Sequence, residues 1–86
     1  NLGLDTIDYK YINFIAKNYN AGPVGINTIA AGIFEDKDTL EDAVEPYLMQ
    51  LGFLARTARG RLLTENCLKH IGYIKTKNTL FENGNI

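Results

Sequence analysis

The stretch Phe53-Leu54-Ala55-Arg56-Thr57-Ala58-Arg59-Gly60-Arg61-Leu62-Leu63 holds two short runs separated by the turn-forming residues Thr57 to Gly60. Phe53 to Arg56 and Arg61 to Leu63 read as the arms of an antiparallel hairpin. Gly60 supplies the positive φ that the turn requires. Most of what surrounds this hairpin carries helical periodicity, so the hairpin decides the architecture.

Immediately upstream, Asp38 and Glu41 have the spacing of a capping box. Leu40, Val44, Tyr47, Leu48 and Leu51 line the inward face of the helix that follows, which Gly52 stops. Pro46 removes the backbone bond to the Asp42 carbonyl, which predicts a bend near Glu45. Nearer the start, Asp5 caps a first helix and Asp8 places negative charge where the helix dipole favours it. Ile7, Tyr11, Phe14 and Ile15 recur at helical spacing, and Ile12, Ala16 and Tyr19 widen the stripe enough for contact on two sides. Asn20 to Gly22 ends that helix, Pro23 keeps the chain extended through Val24, and Asn27 is expected to cap a short helix from Thr28 to about Phe34. After the hairpin, Thr64 caps a helix carrying Cys67, Leu68 and Ile71, with Gly72 as its stop. The order helix, helix, helix, hairpin, helix predicts a mainly α fold with a small β-hairpin. This is a winged helix-turn-helix with an additional C-terminal helix and Val24 as a third short strand. The expected domain spans 1–72. Residues 73–86 form a polar, Asn-rich tail of unknown role.

Composition bounds the function. Eighty-six residues with 45% apolar and 22% charged side chains make one small folded domain. No apolar run approaches the ~20 residues of a membrane span, and no basic-then-apolar leader is visible. One cysteine permits no internal disulfide, and with a single histidine there is no zinc-ligand spacing, so a cytoplasmic setting is expected. The chain opens on Asn1 and carries neither a phosphate-binding loop nor a catalytic-triad spacing. It reads as a non-catalytic piece of a larger protein.

Charge is divided along the chain. Residues 1–55 carry eight acids against three lysines, whereas residues 56–86 carry three arginines and three lysines against two glutamates. A polyanion should therefore meet the second half. Its densest basic feature is Arg56, Arg59 and Arg61, whose guanidinium forks suit two-oxygen contacts with phosphate. Thr57 and the backbone amides near Gly60 add neutral phosphate contacts. The plain alternative is a solvated, solubilising charge run. The third helix points the other way: Asp38, Glu41, Asp42 and Glu45 would face a dense phosphate lattice, so this helix should not read base sequence.

Other candidates are better explained structurally. His70 suits a helix C-terminus rather than general-base work. Cys67, spaced with Leu63 and Ile71, reads as an inert buried thiol. Asp36, Asp38 and Glu41 lack calcium-loop spacing. Tyr9, Tyr11, Tyr19, Tyr47 and Tyr73 are not interleaved with basic residues and read as core or core-edge packing. Leu48, Met49 and Leu51 read as the seam between third helix and hairpin.

The segment EPYLMQLGFLARTARGR, from Glu45 to Arg61, closely resembles the C-terminal winged-helix domain of the bacterial Holliday junction branch-migration ATPase RuvB. GLDTIDYKYI and GPVGINTIAAGI resemble that domain's first helix and its strand-to-second-helix entry. The resemblance covers Gly3 to about Gly72. It implies a homohexameric AAA+ motor of the bacterial cytoplasm that pulls duplex arms through a junction bound by a RuvA-like partner during recombination and repair. ATP and magnesium would belong to the parent and no cofactor to this stretch. The resemblance also carries DNA contact onto Arg56, Arg59 and Arg61, with Arg59 foremost. Ala58 stands where the family commonly has proline, which implies a less rigid turn. Two other readings stay open: a domain that docks a basic protein surface through its acidic third helix, or an appendage that sets ring geometry without important DNA contact.

Overall fold

The computed structural model describes residues 3–72. The expected tail, 73–86, lies outside the described residues. Helix α1 (Thr6–Asn18) begins at Asp5, whose amide donates to Asp8 Oδ2 at 2.8 Å. Tyr11, Ile12, Ile15 and Ala16 are buried along it, two adjacent pairs that make the predicted double-sided stripe. Asn20 and Ala21 then take positive φ and turn the chain. Val24 pairs with Arg61 in an isolated antiparallel bridge, its amide and carbonyl both engaged at 2.9 and 2.8 Å. This is the predicted third strand, one residue long.

Helix α2 (Ile26–Ile33) starts two residues earlier than the sequence suggests. Gly25, not Asn27, is its N-cap, and Asn27 lies exposed within the first turn. The extended backbone after Pro23 already delivers Gly25 in cap geometry, so Ile26 enters the helix and is buried.

The third helical segment is composite. Asp36 rather than Asp38 caps it, accepting from the Asp38 and Thr39 amides at 3.1 and 3.3 Å. Helix α3 (Lys37–Thr39) leads into a π-turn (Leu40–Val44) and then helix α4 (Glu45–Gln50). Pro46 is the physical reason. Having no N–H, and with a ring that crowds the carbonyl four residues back, it disfavours a regular α-turn here. The chain widens instead, and the Glu45 amide reaches back five residues to the Leu40 carbonyl. The expected bend is thus an expansion of the turn immediately before Pro46.

Strands β1 (Leu54–Thr57) and β2 (Gly60–Leu63) pair antiparallel in the register Leu54↔Leu63, Ala55↔Leu62, Arg56↔Arg61 and Thr57↔Gly60. Helix α5 (Glu65–Ile71) is capped as predicted: Thr64 Oγ1 accepts from the Cys67 amide at 3.2 Å and donates to the Gly52 carbonyl at 2.6 Å. Gly72 closes it in the left-handed region. One core joins Ile12, Ile15, Ile29, Leu40, Val44, Leu48, Phe53, Leu54, Leu63 and Cys67. Truncating a fully buried member such as Leu40 or Leu48 to alanine costs about 2 to 5 kcal/mol. Met49 is exposed, whereas Leu48 is buried and Leu51 packs against the core, so Met49 drops out of the predicted seam. The whole is the predicted winged helix, with the hairpin as its wing.

Candidate nucleic-acid interface

Gly60 shapes the wing tip for two reasons. Its φ is +134°, and a β-carbon there would lie 2.7, 2.8 and 3.0 Å from the Val24 carbonyl carbon, oxygen and nitrogen. Only glycine allows β2 to leave the turn and pass this close to the third strand. Thr57 completes the turn: its hydroxyl donates to the Gly60 carbonyl at 2.8 Å and accepts from the Arg59 amide at 3.1 Å. The Arg61 amide is likewise engaged, donating to Val24. Thr57 and Gly60 therefore build the tip that presents Arg59.

The three arginines have different surroundings. Arg56 and Arg59 are exposed, and among the described residues neither forms an ion pair. Arg61 is directed into the domain, with 12% of its side chain exposed. Its Nε donates to Glu45 Oε2 at 2.8 Å, and its Nη2 donates to Glu45 Oε1 at 3.1 Å and to Glu41 Oε2 at 3.2 Å. The Tyr11 hydroxyl donates to the same Glu45 carboxylate. Glu45 is 1% exposed and thus fully committed to α1 and β2. The hydrogen bonds to Glu45 raise the Arg61 pKa above its ordinary range. Burial, reinforced by Glu45, pushes the Tyr11 phenol well above its ordinary range. Removing two ions from water is tolerable because Arg61 Nε and Nη2 and the Tyr11 hydroxyl all meet carboxylate oxygens.

The sequence grouped Arg61 with Arg56 and Arg59; the fold brings only the latter two to the outer surface. It also grouped Glu45 with the outward acids, whereas Asp36, Asp38 and Asp42 are exposed and Glu45 is internal. The alternation of the strand marks Arg56 and Arg61 alike, and only Glu45, which takes Arg61, separates them. Leu54, Arg56, Arg61 and Leu63 share one face of the hairpin, and Leu54 and Leu63 are buried.

His70 is exposed in the last turn of α5, 5.2 Å from the Phe53 ring by centroids. Cys67 is buried, and desolvation raises its thiol from 9.0 to about 11, as an inert core thiol requires. Tyr11 belongs to the core, Tyr9 and Tyr47 are half-buried, Tyr19 is exposed, and Tyr73 lies outside the described residues. Among the described residues, no group of three or more His, Cys, Asp or Glu is placed to hold a metal, and no helix is long and apolar enough to cross a membrane.

Comparison with known proteins gives the same architecture. The "Holliday junction branch migration complex subunit RuvB" of Orientia tsutsugamushi, strains Boryong and Ikeda, is 60% identical over 70 residues, which cover 81% of this chain and 22% of the relative. The structure of the Thermotoga maritima RuvB Holliday junction branch migration motor superposes with a TM-score of 0.78 at 51% identity. The match covers 80% of this chain and 23% of that one. The chain thus spans less than a quarter of the length of these relatives. Residues 1–72 match the model of the RuvB C-terminal winged helix domain. With the wing, the one-residue third strand and the closing helix all in place, the chain belongs to the RuvB C-terminal winged-helix family.

Proposed function

We propose that residues 1–72 are the DNA-contacting domain of a Holliday junction branch-migration subunit, and that Arg56 and Arg59 track duplex phosphates from the wing. The observation that carries this reading is the division among the arginines. Two guanidinium groups stand exposed beside a turn made rigid by Thr57 and Gly60, while Arg61 anchors the hairpin beneath them. Fixed forks of donors suit phosphate oxygens and carry no base information.

The neighbouring surface supports the same assignment by repulsion. Asp36, Asp38 and Asp42 are exposed on the segment that in many helix-turn-helix proteins enters the major groove. A duplex is pushed off that segment and onto the wing, so contact follows backbone shape rather than sequence.

The parent in this reading is a homohexameric, ATP-dependent DNA translocase of the bacterial cytoplasm, acting with a RuvA-like junction-binding protein in recombination and repair. Nucleotide and magnesium belong to the rest of such a chain, because these 86 residues contain no glycine-rich phosphate loop with its lysine. The domain's own work is mechanical. It holds the duplex near the ring while movement is driven elsewhere, and six copies of a weak contact act together.

DNA binding by the full-length protein at low and physiological salt tests this, comparing wild type with Arg59→Ala and following ATP hydrolysis and assembly as controls. Weaker, less salt-sensitive binding with intact assembly and basal hydrolysis supports the phosphate contact. Unchanged binding instead favours a second reading suggested by the exposed Asp36, Asp38 and Asp42, in which that face docks a basic protein surface.

A further inference from the structure

Phe34 is 91% exposed and holds a left-handed backbone conformation, φ 60°, at the C-cap of α2. Glycine or asparagine ordinarily occupies that position because a side chain there is strained. Closing hydrogen bonds from the Phe34 and Glu35 amides to the Ala30 carbonyl offset the backbone cost, but the ring itself stays in water. Beside it lies an open, mainly apolar groove of about 580 Å3 between α1 and the end of α2, bordered by Thr6, Tyr9, Asn13, Phe14 and Gly32. The groove has a formed floor: the Phe14 ring lies against Gly32 so closely that a β-carbon there would meet it at 2.2 Å. Its rim is basic, with Lys17 free of ion pairs among the described residues and Lys10 tied to Glu35 at 3.6 Å.

The direction from which the chain enters identifies an occupant. The family places this domain at the C-terminal end of chains of which it is less than a quarter. Most of such a chain therefore joins it at the Gly3 side. The groove opens at Thr6, in the first turn of α1, and runs along that helix to Lys17. It is the more apolar of the two grooves near the point of entry, the other being bordered by Gly3, Asp5 and Asp8. We propose that Phe34 and this groove are the docking face for the domain that precedes this one in the same polypeptide, which would present an apolar side chain flanked by carboxylates. The apolar lining favours protein over nucleic acid, and Lys17, whose charge no carboxylate of the described residues meets, selects an acidic rim opposite. The proposal rests on family membership and not on the wing's contact with DNA.

The test uses the full-length protein without DNA, with p-benzoylphenylalanine replacing Phe34. The exposed position lets the domain fold with the probe in place. Isotopically light and heavy chains are mixed before assembly, irradiated and digested. The expected result is crosslinks from position 34 to peptides ahead of this domain, in light–light and heavy–heavy pairs only. Mixed light–heavy pairs would overturn the proposal in favour of a neighbouring subunit. Crosslinks confined to residues 1–86, or none above those given by the same probe at exposed Lys37, would also overturn it.

Discussion

Arg56 and Arg61 stand directly opposite each other on one face of the wing ladder, and Glu45 takes only Arg61. Two like charges at a paired position destabilise a hairpin unless one is neutralised. Glu45 does this from α4, with Tyr11 supporting its other side from α1. The wing is therefore fastened to two helices through one buried carboxylate.

Glu45→Ala should be severely destabilising, by about 3 to 5 kcal/mol, because it leaves Arg61 inside the domain with only the part-exposed Glu41 to meet it. The triple variant Tyr11→Phe, Glu45→Leu, Arg61→Met should recover most of that loss, since the one group of the network then left without Arg61 is Glu41, which water reaches. Urea unfolding of the three proteins reads this directly. A triple variant no more stable than Glu45→Ala would mean that the cost lies in packing.

Gly60→Ala should lower stability by about 1 to 3 kcal/mol through strain alone, and contact with the Val24 backbone adds to it. Its signature is local as well as global. The Val24 and Arg61 amides, which pair across the bridge, should lose protection from hydrogen exchange before the α1 amides do.

Stability should fall in alkali. Burial raises the Cys67 thiol from 9.0 to about 11, and burial with Glu45 raises the Tyr11 phenol above its ordinary 10.0. Both groups hold their protons more tightly when folded, so the unfolded chain releases them first. Their contribution is complete below about pH 9 and is lost as pH climbs toward 11 and beyond. For Cys67 the interval corresponds to about 3 kcal/mol. Cys67→Ala should start lower because of the cavity it leaves, yet show a shallower decline between pH 9 and 11. Parallel declines for the two proteins would show that the thiol does not drive the effect.

On DNA, Arg56→Ala and Arg59→Ala in the full-length protein should each reduce the salt slope of binding by about 1 and weaken all duplex sequences alike. Asp42→Asn should do the reverse and tighten non-specific binding, because Asp42 is exposed and removing its charge lifts a repulsion. A titration series at several salt concentrations separates these effects from loss of folding.

Much of the fold was legible because it depends on local chemistry. Asp5 and Thr64 cap the helices they precede, Gly72 ends α5, and Gly60 turns the wing, each through backbone requirements confined to a few residues. Two caps were misplaced by two residues, at Gly25 and Asp36, where backbone approach decided among several capable residues. The candidate site was only partly legible. Glu45 looks like one more acid in an acidic segment until α1 and β2 bring Tyr11 and Arg61 to it, across 34 and 16 residues of sequence. Long-range charge pairing of that kind leaves no periodic trace.

The π-turn of Leu40–Val44 makes the third helical segment two rotational frames joined end to end. Each residue of a helix advances it by roughly 100°, so a single extra residue in one turn offsets everything beyond it by about that angle. Upstream of the offset, Asp36 and Asp38 look outward; downstream, Glu45 looks inward beneath the wing. Deleting the exposed Ala43 from that turn would remove no charge and no buried side chain. It would nevertheless rotate the two frames into one, so that the buried carboxylate and the outward acids could no longer keep their separate directions.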